Sequence, residues 1–155
     1  MSENFRSRWP ISTPTPEELD PELVFQVARR TTILVVDDEA HVRGLAKRVL
    51  SGQAYRVRDA ANGIAAIAAA ESEGGISLVL TDVEMPTIGV RRMLRRLQEL
   101  NPDMKVLFMS GYSDHDLLSR GFDKGWDAFL QKPFSGSQLV AAVREVLAAP
   151  SAQHA

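Results

Sequence analysis

From Thr31 onward, short apolar runs alternate with stretches whose apolar residues recur every three or four positions. Ile33-Leu34-Val35-Val36 is continuous and largely β-branched, ends in Asp37-Asp38, and predicts a strand buried on both faces. A helix follows over about 39–50, with Val42, Leu45, Ala46 and Val49 on one face. Tyr55-Arg56-Val57-Arg58 alternates apolar and charged side chains, as a half-exposed strand does. Asn62-Gly63 opens an alanine-rich helix carrying Ile64 and Ile67. Leu78-Val79-Leu80-Thr81-Asp82 predicts a third strand, followed by a helix with Met93, Leu94, Leu97 and Leu100 on its apolar face. Val106–Ser110 predicts a fourth strand, 114–122 a short and weakly apolar helix, and Asp127–Leu130 a fifth strand. The last helix runs over Ser135–Ala148, with Leu139, Val143, Val146 and Leu147 inward.

Five strand–helix units in strict alternation predict an α/β fold, a doubly wound parallel sheet covered on both faces. Strands one, three and four are apolar throughout and belong in the middle. Strand two carries charge and strand five is short, as edge positions permit. The resulting order, 2-1-3-4-5, is the flavodoxin-like one, whose ligands lie beyond the carboxyl ends of the central strands.

The flanks read differently. Residues 1–30 form an N-terminal extension, partly disordered or a short helix, with Pro10, Pro14, Pro16 and Pro21 as breakers. A helix there could start with Thr15 as cap and Pro16 in first position, and Glu22–Val27 could add a second helical turn or a docked linker. Apolar Leu23, Val24 and Val27 would lie on a partner or on the domain itself. The domain occupies 31–149, and 150–155 is a flexible tail. About seven residues follow the last helix, which leaves no room for an output domain in this sequence.

Composition narrows the function. Eighteen basic against twenty acidic side chains leave a formal charge of −2, so bulk charge points to no nucleic-acid or membrane partner. Arg91, Arg92, Arg95 and Arg96 form one dense basic cluster, which helical spacing makes a solvated face. There is no cysteine, hence no disulfide, thiolate metal site or thiol nucleophile. No apolar run is long enough to span a bilayer and no signal-peptide core is present, so the expected location is the cytoplasm.

The chemistry collects at the strand ends. Strand one ends in Asp37-Asp38, strand three in Asp82, strand four in Ser110, and strand five in Gln131-Lys132-Pro133, all on one rim of the sheet. Converging carboxylates repel one another and, as hard oxygen donors, suit Mg²⁺. A lysine and a hydroxyl beside them would complete a site for a phosphoryl group. A carboxylate attacking phosphorus forms an acyl phosphate.

These motifs resemble the response-regulator receiver family of two-component signalling. The match runs through Leu34-Val35-Val36-Asp37-Asp38-Glu39, Ala61-Asn62-Gly63, Leu80-Thr81-Asp82-Val83-Glu84-Met85-Pro86, Phe108-Met109-Ser110-Gly111-Tyr112 and Phe129-Leu130-Gln131-Lys132-Pro133-Phe134, over roughly 31–148. The resemblance implies that Asp82 is the phospho-acceptor and that Asp37, Asp38, Asp82 and the backbone carbonyl of Glu84 hold Mg²⁺. It also implies that Lys132 pairs with the acceptor and then with the phosphoryl oxygens, that Ser110 donates its hydroxyl to them, and that Phe129 is the switch aromatic. Lys132–Pro133 is a candidate cis peptide. In one departure, Gly89 stands a residue before the family's glycine and Val90 takes its place, which predicts a re-formed turn.

The resemblance implies a stand-alone receiver, phosphorylated by a histidine kinase or histidine phosphotransfer protein and signalling to a downstream protein partner. It would be no enzyme beyond its own phosphorylation and dephosphorylation. A receiver-fold adaptor that binds its partner without phosphorylation is the alternative, favoured only by the Gly89-Val90 turn. A phosphatase of the doubly wound class ranks last, because no separate general acid or substrate-recognition insert is evident.

Overall fold

The continuous apolar runs become the middle of the sheet. The computed structural model of the chain describes residues 5–7, 20–84, 88–111 and 128–149. Five parallel strands, β2 (Thr32–Val36), β3 (Arg56–Ala60), β4 (Leu78–Asp82), β5 (Lys105–Ser110) and β6 (Ala128–Gln131), lie in the order β3-β2-β4-β5-β6. Counted along the chain, this is the expected 2-1-3-4-5 arrangement. A sixth strand not expected from the sequence, β1 (Phe5–Ser7), runs antiparallel along β6 and pairs Arg6 with Phe129. The fifth parallel strand is therefore covered, and the edge predicted for it belongs to the N-terminal extension.

Alternation along each central strand divides the core in two. Leu34, Val36, Val79, Val106 and Phe108 face helices α3 (Gly63–Glu73) and α4 (Val90–Leu100). Ile33, Val35, Leu78, Leu80, Leu107 and Met109 face α2 (Ala40–Ser51) and α5 (Gly136–Ala148). From the helices, Ala66, Ala70, Met93, Leu94 and Leu97 fill the first layer, and Ala46, Leu50, Leu139, Val143 and Val146 the second. Leu100, expected on the apolar face of α4, is the last residue of that helix and is 36% exposed at its end.

Local chemistry sets the helix starts. Ser135 and Gln138 form a reciprocal capping box at α5, and the Asn62 side chain accepts the Ala65 N–H at α3. Gly63 is required by packing, since a Cβ there would lie 2.7 Å from Ile88 Cγ1. In the extension, α1 (Pro21–Arg29) begins with Asp20 as cap and Pro21 in first position. The Thr15-Pro16 helix start, the 114–122 helix, Asp127 and the 150–155 tail lie outside the described residues. No described helix is long and apolar enough to cross a membrane.

Candidate functional site at the carboxyl rim of the sheet

Asp37 directly follows β2, and its N–H extends the ladder to the Ala60 carbonyl at 3.2 Å. Its side chain is fully buried, and its Oδ1 accepts the Glu39 N–H at 2.9 Å. That turn brings Glu39, the residue before α2, back over the rim. Arg43 in the first turns of α2 fixes the same loop, donating from Nη1 to the Asp37 carbonyl at 2.7 Å and from Nε to Asp59 at 3.3 Å. Asp82 closes β4, and its Oδ1 receives the Glu84 N–H at 3.4 Å.

Lys132 arrives from the end of β6 and ties these acids together. Its N–H donates to the Ser110 carbonyl at 2.7 Å, and the bond to Pro133 is cis, as the sequence suggested. Its ammonium donates to Asp37 Oδ2 at 2.8 Å and lies 3.5 Å from Asp82 Oδ2 and 3.6 Å from Glu39 Oε1. Burial, and then the neighbouring Asp37 charge, raise the Asp82 carboxyl above its ordinary pKa, and Lys132 offsets this only in part. Burial would lower Lys132, but its hydrogen bond to Asp37 and the charges of Asp82, Asp37 and Glu39 hold it above its ordinary value. Both directions describe a crowded acidic site with one strongly held cation.

Each of Asp37, Glu39 and Asp82 offers a carboxylate oxygen within 4.8 Å of the other two. Such a set of hard oxygen donors fits a small divalent cation. Beside it opens a cleft lined, among the described residues, by Asp38, Glu39, Asp82, Val83, Glu84, Gly89 and Val90. Asp38 is exposed on that cleft and stands apart from the three clustered acids. Gly89 precedes α4 with φ at +77°, a left-handed conformation that glycine adopts without penalty, and Val90 is buried as the first helical residue. The displaced glycine thus still supplies the turn into α4.

Ser110 ends β5 on the same rim and is 1% exposed. Phe129 is half-buried, its ring stacked on Phe108 with centroids 5.0 Å apart. The structure therefore gathers Asp37, Asp82 and Lys132 at contact distance and sets Ser110 on the adjoining strand. Phe129 lies in the α3/α4 core layer. Glu39 and Arg43 were missed by sequence reasoning, although Glu39 is part of the Asp37-Asp38-Glu39 run. Its signal was the Asx-type turn that an aspartate two residues ahead can form.

The sequence model of the response regulator receiver domain matches residues 33–144. The chain belongs to the response-regulator receiver family. This receiver is 37% identical over 135 residues to sensor kinase CckA of Brucella abortus (strain 2308), covering 84% of this chain and 14% of that protein. It is 34% identical over 122 residues to the DNA-binding transcriptional regulator NtrC of Rhizobium meliloti (strain 1021), covering 77% of this chain and 24% of that protein. The chain thus spans a quarter or less of either curated relative. A CheY-like receiver domain protein from Methanospirillum hungatei JF-1 superposes with a TM-score of 0.66 at 28% identity, covering 76% of this chain and 93% of that one. Receivers are signalling domains that take a phosphoryl group on an aspartate, work with histidine kinases and downstream effectors, and generally bind Mg²⁺ in an acidic pocket.

Proposed function

We propose that this receiver accepts a phosphoryl group on Asp82 from a phosphohistidine of a histidine kinase or phosphotransfer protein. The observation that carries the reading is the Lys132 ammonium shared between Asp37 at 2.8 Å and Asp82 at 3.5 Å, on the rim where the strands end. An Asp82 carboxylate oxygen attacks phosphorus, the bond from phosphorus to the donor imidazole nitrogen breaks, and that nitrogen keeps the electron pair. Lys132 holds its charge beside both carboxylates and is placed to follow the phosphoryl oxygens once they arrive. Asp37, Asp38, Asp82 and the Glu84 carbonyl would hold Mg²⁺, which when bound would supply the positive charge that offsets the repulsion between the two anions. Glu39, clustered with Asp37 and Asp82, joins that set.

In this reading Ser110 donates to a phosphoryl oxygen, and Phe129 shifts against Phe108 as β5 responds. The domain at 31–149 acts as a cytoplasmic signalling module, with a downstream protein as its target and neither nucleic acid nor membrane as partner. Of the exposed arginines of α4, Arg96 is engaged by Glu71 at 3.5 Å and Glu99 at 3.1 Å.

The test is intact mass after incubation with acetyl phosphate and Mg²⁺. The wild type should gain one phosphoryl mass that hydroxylamine removes, and excess chelator should prevent the gain. Labelling undiminished by chelation would remove the metal assignment. An unlabelled wild type under these conditions would favour the phosphorylation-independent adaptor.

A further inference from the structure

Helix α1 uses its apolar residues in a way that the domain does not account for. Of its nine residues only Ala28 is buried, while Leu23 and Val27 are 57% and 56% exposed. A helix this short is marginal in water unless a face of it is packed. Ala28 is buried and Val24 half-buried, and the Thr31 hydroxyl just past the helix donates back to the Val27 carbonyl at 2.8 Å. Phe25 lies on another side of the helix, with the Arg29 guanidinium over its ring at 5.7 Å.

At 3.6 residues per turn, Asp20, Leu23, Val27 and Arg30 fall in one stripe, spaced three, four and three residues apart. The stripe has an acid at one end, a base at the other and two exposed aliphatic side chains between them. All four residues are exposed, and neither Asp20 nor Arg30 has an ion pair among the described residues. Asp20 spends one oxygen on the Glu22 N–H at 3.0 Å, which leaves the other available.

We propose that this stripe pairs antiparallel with the same stripe of a second copy of the chain, about a two-fold axis. In that register Leu23 of each copy meets Val27 of the other, and Asp20 of each meets Arg30 of the other. A parallel pairing would instead set Asp20 against Asp20 and Arg30 against Arg30. Charge complementarity therefore selects both the occupant and its direction. Because α1 leads into the amino end of β2, the pairing forms at the opposite rim from Asp37 and Asp82 and leaves the acidic cleft open. A seam of one short helix per copy falls well below the roughly 1,200 Å² of a stable interface, so the association is weak and governed by local concentration.

Sedimentation equilibrium of the full chain, from about 20 μM to about 1 mM, tests this. The wild type should show a monomer–dimer equilibrium within that range. The Leu23→Glu/Val27→Glu variant, changed only at exposed positions, should be monomeric throughout with its circular dichroism preserved. Asp20→Asn keeps the helix cap but removes the charge, and should weaken the dimer a few-fold; Arg30→Glu should weaken it about tenfold. A wild type that stays monomeric to the highest concentration overturns the proposal. In that case, loss of amide protection over 20–30 in the Leu23→Glu/Val27→Glu variant would assign the stripe to the chain's own residues 8–19. A dimer indifferent to Leu23→Glu/Val27→Glu, or tightened by Asp20→Asn as a parallel pair would be, also overturns it. Phosphoryl uptake by Asp82 should be unchanged in all of these variants, so the two readings fail independently.

Discussion

Along β2 the residues Thr32–Val36 are buried among aliphatic side chains, and the next residue, Asp37, is just as buried but carries a carboxylate. Along β4 the same change occurs between Leu80, fully buried in the α2/α5 layer, and Asp82 on the rim. The body of the sheet is held by close packing, which every apolar residue favours independently. The rim is held by one cation among mutually repelling acids, so removing the cation should cost stability while removing an acid can add to it. Substitutions in the two regions should therefore differ in sign as well as in size.

The largest effect belongs to the body. Leu107 is fully buried on a central strand, and Leu107→Ala should destabilise the fold by roughly 2–5 kcal/mol, read from denaturant midpoints at constant slope. A loss under about 1 kcal/mol would mean that the layer repacks and that the body is less tightly specified than its burial suggests.

On the rim, Lys132→Met should leave Asp37 buried without its counter-charge. The expected loss is about 1–3 kcal/mol, reduced because the lysine is 19% exposed. Adding Asp37→Asn to that variant should restore much of the loss, since the orphaned charge is then gone. If the double variant is less stable than Lys132→Met alone, the rim is held by packing after all.

The smallest effect has the opposite sign. Asp82 has its carboxyl raised by burial and by Asp37, so its ionised form is less favourable in the folded than in the unfolded chain. Its contribution to stability is present below the ordinary carboxylate pKa and is lost as pH rises through the raised one. Asp82→Asn should thus stabilise the protein by about 1 kcal/mol near neutral pH, seen as a melting point a few degrees higher. The gain should fade as pH drops toward about 4. A destabilised Asp82→Asn at pH 7 would contradict the picture of a rim under strain.

The body was legible in the sequence because burial on both faces needs uninterrupted apolar runs, and Ile33–Val36, Leu78–Leu80 and Val106–Met109 supply them. The rim was legible because strand ends in a parallel sheet must converge, which places Asp37, Asp38, Asp82, Ser110 and Lys132 on one edge, although Asp38 stands exposed and apart from the clustered acids. Two features were not. β1 is three residues, Phe5-Arg6-Ser7, too short to show a period, and it forms only because β6 offers an unpaired edge. Glu39 read as a helix-start acid, and its approach to Lys132 depends on a backbone turn capped by Asp37, which residue type alone leaves open. Leu100 marks the converse error, since apolar periodicity continues to the helix end where cover has run out.

The central claim is that one particular carboxylate among several takes the phosphoryl group. Reduction of the phosphorylated protein with borohydride converts an acyl phosphate to the corresponding alcohol, so a phosphorylated aspartate becomes homoserine that peptide mass spectrometry can locate. The account predicts homoserine at position 82 and nowhere else. Homoserine at 37 or 38, or a reduced glutamate at 39, would contradict it.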